Sequence, residues 1–155
     1  MGLRTENYAF TEMLSTEEWA LEMIPQPAIG ILFLYEETPV QKQHKEAESH
    51  HLNAANIPQD LFFMRQYARN ACGTIALFHI ILNAASKYPD MVVPGSYLDT
   101  FKTNSTTIDP KARGELFKNS KEILTHHQEA VVGGQSEVQN ECDSHFIAII
   151  NHQNL

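Results

Sequence analysis

One segment constrains the fold of this chain more than any other. Residues 74–85, Thr-Ile-Ala-Leu-Phe-His-Ile-Ile-Leu-Asn-Ala-Ala, are apolar nearly all round. A helix that is apolar on every side has to lie at the centre of a domain, with other elements packed around it. The chain supplies such elements. Residues 28–35 (Ala-Ile-Gly-Ile-Leu-Phe-Leu-Tyr) and 145–150 (His-Phe-Ile-Ala-Ile-Ile) are apolar runs without alternation. Runs of that kind predict strands covered on both faces. Helices alternating with buried strands predict a single layered domain of the α/β type over residues 1–155.

Local signals mark the remaining elements. Ser15-Thr16-Glu17-Glu18 reads as a capping box that opens a short helix from Thr16 to Met23, closed by Pro25 and Pro27. Residues 36–58 are rich in charge, with Glu36, Glu37, Lys42 and Lys45 beside His44, His50 and His51, and predict an exposed, mobile loop. Leu61-Phe62-Phe63-Met64 predicts a short strand. Ser96-Tyr97-Leu98-Asp99 is a second capping box, with Leu98 and Phe101 facing inward. Asp109-Pro110 opens another helix, on which Ala112, Leu116, Phe117, Ile123 and Leu124 share one face. Residues 126–143, with Gly133-Gly134, read as a loop before the second strand.

Composition excludes several classes of function. Eleven Lys and Arg against 19 Asp and Glu leave a formal net charge of −8. Such a surface repels nucleic-acid phosphates and anionic lipid. Two cysteines are too few for a disulfide framework. No stretch approaches the roughly 18–20 apolar residues of a membrane span, and the first residues lack the apolar core of a signal peptide. A soluble, cytoplasmic chain is the expectation.

Cys72 stands where a polar segment becomes the buried helix. A thiol there faces the positive end of the helix dipole, which favours thiolate, and Gly73 leaves room for a substrate backbone. His145 opens the second strand at a polar-to-apolar switch, where an imidazole can meet a cleft. Gln66, six residues before Cys72, carries an amide able to donate to an oxyanion. Cys72 and His145 each have a plainer reading, because a free Cys is usually a small buried hydrophobe and a lone His usually hydrogen-bonded structure. Cys142 and His145 lie three apart and could share a metal with Cys72, His126, His127 or His152. No Cys-x-x-Cys or His-Glu-x-x-His pattern supplies a second pair, so no metal and no cofactor is expected.

The segment Phe63-Met64-Arg65-Gln66-Tyr67-Ala68-Arg69-Asn70-Ala71-Cys72-Gly73-Thr74-Ile75-Ala76-Leu77 closely resembles the nucleophile segment of the ubiquitin C-terminal hydrolases, papain-like cysteine deubiquitinases. His145-Phe146-Ile147-Ala148 resembles the family's histidine segment, and Gly134-Gln135-Ser136-Glu137 a segment of its small single-domain members. Met23-Ile24-Pro25-Gln26-Pro27 matches more loosely. The resemblance runs from about Tyr8 to His152.

It implies a papain-like α+β fold, with a central, largely antiparallel sheet flanked by helices on both sides. It also implies a thiol-dependent hydrolase that cleaves bonds after the C-terminal glycine of ubiquitin through an acyl-enzyme. Cys72 would be the nucleophile, His145 the general base and then acid, and Gln66 with the Cys72 N–H the oxyanion hole. Asn70 would hold the turn. Ubiquitin or a ubiquitin-like protein, carrying a small C-terminal adduct, would be the partner, and the acidic balance suits ubiquitin's basic tail. The family's third catalytic residue, an Asp that orients the imidazole, falls beyond Leu155, and Asp143 is poorly placed to replace it. The expectation is a catalytic domain cut short of the family fold, impaired in turnover, or alternatively a weakly active or inactive ubiquitin-binding remnant or truncated isoform.

Overall fold

The computed structural model describes residues 1–49, 57–123, 125–126, 129 and 144–152. Among these, α1 spans Glu18–Glu22, β1 Gly30–Glu36, α2 Pro39–Ser49, α3 Cys72–Ala84, α4 Tyr97–Ser105, α5 Pro110–Lys118 and β2 Ser144–Ile150, with one 3-10 turn at Pro89–Met91. Gly133 to Glu137, Cys142, Asp143, His50, His51, Leu124 and His127 lie outside the described residues. No helix among the described residues is long and apolar enough to cross a membrane.

The apolar segment forms α3, and its flanks explain its place. Ile75, Ala76, Phe78, Ile80, Ile81 and Leu82 are all buried. Phe78 lies within 5.2–5.4 Å, ring centre to ring centre, of Phe101 from α4 and Phe117 from α5, edge to face in both cases. That geometry suits the aromatic quadrupoles and ties three helices together at one ring.

On its other side α3 carries the sheet. Strands β1 and β2 pair antiparallel, from Gly30 opposite Ile150 to Tyr35 opposite His145 and Glu36 opposite Ser144. Strand alternation puts Gly30, Leu32 and Leu34 on one face with Ile150, Ala148 and Phe146. This face meets the helix at Gly30 and Phe146, while Leu34 on the same face is 50% exposed. A Cβ on Gly30 would stand 2.9 Å from the Ile80 side chain, and one on Gly73 would stand 3.3 Å from the Phe146 ring. Missing Cβ atoms thus let helix and sheet close on each other at two points. On the opposite face Ile31, Phe33 and Ile149 are 40–49% exposed, so among the described residues these strands are less covered than two-sided burial predicts.

Four local expectations change. First, α1 is shorter than Thr16 to Met23. The Ser15 hydroxyl accepts from Glu17 N–H at 3.1 Å, so it closes a turn before the helix, and Glu17 takes the cap position without a side-chain bond to the helix backbone. Second, residues 39–49 form a helix and not a loop. Thr38 and Gln41 make a reciprocal cap, with Thr38 N–H donating to the Gln41 Oε1 at 2.8 Å and Gln41 N–H to the Thr38 hydroxyl at 3.3 Å. Pro39 then enters at the first helical position, where a missing N–H is harmless. Third, residues 61–64 form no strand. The segment bonds to side chains of α3 where a strand would need a ladder. Fourth, α5 stops at Lys118, and Ser120 caps a new turn by accepting from Ile123 N–H. The single face from Ala112 to Ile123 is therefore broken, and Leu116 is exposed. The caps at Ser96 and Asp109 form as the sequence predicts.

His79, within α3, accepts from Met64 N–H through Nε2 at 3.1 Å. Burial lowers its pKa, and only the neutral ring has a lone pair to accept with. A folded pKa held below the unfolded value near 6.5 stabilises the fold above that value, and the contribution is lost as pH falls through it. The urea midpoint of the parent is expected to drop between pH 7.5 and pH 5.5. His79→Gln should show a smaller drop, and equal drops in both chains would contradict this role.

Candidate active site

The chain entering α3 is fastened from two sides. From α3, Asn83 accepts Phe62 N–H at 2.7 Å and donates to Phe62 C=O at 2.8 Å, as a neighbouring strand would. His79 holds Met64 one turn earlier. From α5, Arg113 donates to the carbonyls of Phe63 (3.1 Å), Ser105 (2.8 Å) and Thr106 (3.3 Å), with its guanidinium 4.9 Å from the centre of the Phe62 ring. Arg65 N–H donates to Pro110 C=O at 2.9 Å. These groups satisfy a backbone that has no strand partner among the described residues. Met64, only 1% exposed, anchors it in the core.

Beyond Arg65 the chain turns. Asn70 has φ +54°, in the left-handed region that asparagine tolerates better than most residues. This accords with the turn-holding role expected of it. Ala71 is buried and takes the cap position of α3, where it has no side chain to accept from the helix. Cys72 is the first helical residue, a free, half-buried thiol. Gln66 is exposed, and its amide donates to Ala68 C=O at 3.2 Å within the same turn.

His145 is the second residue of β2. Gly73 against Phe146 puts the start of α3 beside the start of β2, so Cys72 and His145 each adjoin a member of one packed pair. The register sets the His145 side chain on the sheet face opposite Phe146. Its ring meets the Tyr35 ring edge to face, at 6.0 Å between centres and 79°. Among the described residues no hydrogen bond joins Cys72 to His145. Catalytic hydrogen bonds are often long or unformed before substrate binds. Gly73, expected to leave room for a substrate backbone, has a packing role against Phe146.

Beside His145 lies a charged cluster outside the sequence-based set. Lys45 of α2 donates to the Tyr35 hydroxyl and, at 2.7 Å, to Glu37, while Lys42 stands 3.8 Å from Glu37. The Lys45 hydrogen bond lowers the Glu37 pKa, and the Glu37 and Tyr35 bonds raise that of Lys45. The signal for this cluster was the Thr38–Gln41 cap, which turns residues 39–49 into a helix and sets Lys45 over the end of β1. His152 pairs with Asp60 at 3.1 Å. No group of three His, Cys, Asp or Glu among the described residues is arranged to hold a metal.

The model of ubiquitin carboxyl-terminal hydrolase family 1 matches residues 1–155. The chain is 29% identical over 149 residues to ubiquitin carboxyl-terminal hydrolase 3 of Arabidopsis thaliana, covering 96% of this chain and 63% of that protein. It is 28% identical over 146 residues to the human isozyme L1, covering 93% of this chain and 64% of that protein. The chain thus spans less than two thirds of the length of these relatives. Its structure is similar to the Trichinella spiralis UCH37 catalytic domain bound to ubiquitin vinyl methyl ester. The TM-score is 0.56 at 26% identity, over 81% of this chain and 52% of that one.

The closeness of α5 to the turn before Cys72 is testable. A Cβ on Gly114 would stand 2.1 Å from the Arg65 carbonyl oxygen and 2.8 Å from the Tyr67 ring. Gly114→Ala is expected to push α5 off this segment and to lower stability by about 1–3 kcal/mol, read as a lower urea midpoint. A variant as stable as the parent would contradict this packing.

Proposed function

Since the chain belongs to ubiquitin carboxyl-terminal hydrolase family 1, we propose that it is a cysteine hydrolase acting on bonds that follow the C-terminal glycine of ubiquitin. The family match along the whole chain carries the proposal, and the placing of Cys72 at the start of α3 beside β2 supports it. Residues 1–155 act as one catalytic domain in this reading, in the cytoplasm, with ubiquitin as the partner. No cofactor enters.

The steps follow from the side chains. The Cys72 sulfur attacks the glycine carbonyl carbon while His145 takes the thiol proton. The oxyanion that forms is held by the Cys72 N–H and by the Gln66 amide. Gln66 is exposed, so its amide is free to leave Ala68 for this role. The carbon–leaving-group bond breaks as His145 returns its proton to the leaving atom, which leaves a thioester on Cys72. Water, deprotonated by His145, then attacks the thioester and frees the glycine carboxylate and the thiol.

A second reading is ubiquitin binding with slow chemistry. It is favoured by the strand register, which sets the His145 side chain on the sheet face opposite Phe146, the residue that packs on the start of α3. The UCH37 neighbour carries ubiquitin vinyl methyl ester, and the same probe separates the two readings. The hydrolase reading predicts one covalent adduct, seen by intact mass and abolished by Cys72→Ser. Stable ubiquitin binding without an adduct would favour the second reading. Neither adduct nor binding would refute both.

A further inference from the structure

His145 and Tyr35 are directly opposed across the strand pair, with their rings in edge-to-face contact. Tyr35 is itself held on two sides. Phe33 stacks on it at 5.9 Å and 14°, and Lys45 of α2 donates to its hydroxyl. Lys45 is in turn fixed by Glu37 at 2.7 Å, and Glu37 is shared with Lys42. A ring gripped at its face and at its hydroxyl has one orientation to present to a neighbour. An imidazole that must receive and return a proton needs a defined orientation, since small misplacements of reacting groups are costly in rate.

We propose that Tyr35, clamped by Lys45, is the positioning residue that fixes the orientation of the His145 imidazole. Tyr35 touches neither the thiol nor the substrate in this account. It acts through His145, and Lys45 acts through Tyr35. The inference rests on His145 serving as the base.

The test is the labelling kinetics of the 155-residue chain with ubiquitin vinyl methyl ester, resolved into probe affinity and the rate of the bound step. Tyr35→Leu removes the ring and is expected to slow the bound step about tenfold with affinity unchanged. Tyr35→Phe removes the hydroxyl that Lys45 holds, and Lys45→Met removes that contact together with the Glu37 pair, so each should slow the bound step by less than Tyr35→Leu does. The double variant should be no slower than Lys45→Met alone, because the Tyr35–Lys45 contact is already broken there. Melting temperatures of the two conservative variants check the fold. Parental or faster labelling of Tyr35→Leu, a change confined to affinity, or additive effects in the double variant would overturn the proposal. His145→Gln separates the two layers. If it labels at the parental rate, the reading of His145 as the base fails. If it is slow while Tyr35→Leu is not, only the role of Tyr35 fails.

Discussion

The architecture hangs on two polar side chains of an otherwise apolar helix. His79 and Asn83 lie one turn apart on α3 and hold the backbone of Phe62 and Met64. Inside a core, a side chain that bonds both N–H and C=O of one residue replaces a strand partner. The hydrogen bonds gain strength from the low local dielectric, and leaving those groups unpaired would be costly. This clasp delivers the chain to the turn that ends at Cys72. With α5 locked over the same segment through Arg113 and Gly114, the turn is fixed before the helix begins.

The same helix sets the other half of the site. Its first turn is bare at Gly73 where β2 is bulky at Phe146, and it is bulky at Ile80 where β1 is bare at Gly30. Complementary shape along one helix face thus aligns the start of β2 with the start of α3. The thiol and the imidazole come from residues 73 positions apart in sequence. Packing between ordinary apolar groups brings the two segments together, and the strand register then sets the imidazole on the sheet face opposite Phe146.

Much of this was legible in the sequence, for identifiable reasons. The buried helix, both strands and the caps at Ser96 and Asp109 follow from local periodicity and side-chain reach. The nucleophile segment is a continuous motif, so it too can be read directly. What stayed hidden depends on partners distant in sequence. Leu61 to Met64 has the composition of a strand, and nothing local shows that its partners are Asn83 and His79. Arg113 and Gly114 look like an ordinary helix surface until Arg65 is packed on them. The helix at 39–49 was readable from Thr38-Pro39-Val40-Gln41, a cap outweighed by the surrounding charge. The Lys45–Tyr35 contact follows only once that helix exists.

The proposed function turns on one pairing, Cys72 as nucleophile with His145 as its base. The most direct measurement is the rate of Cys72 alkylation by iodoacetamide, followed by peptide mapping so that Cys142 does not contribute, in the parent and in His145→Gln. If the imidazole takes the thiol proton, the variant alkylates at least about tenfold more slowly at neutral pH. Equal rates in the two chains would contradict the account.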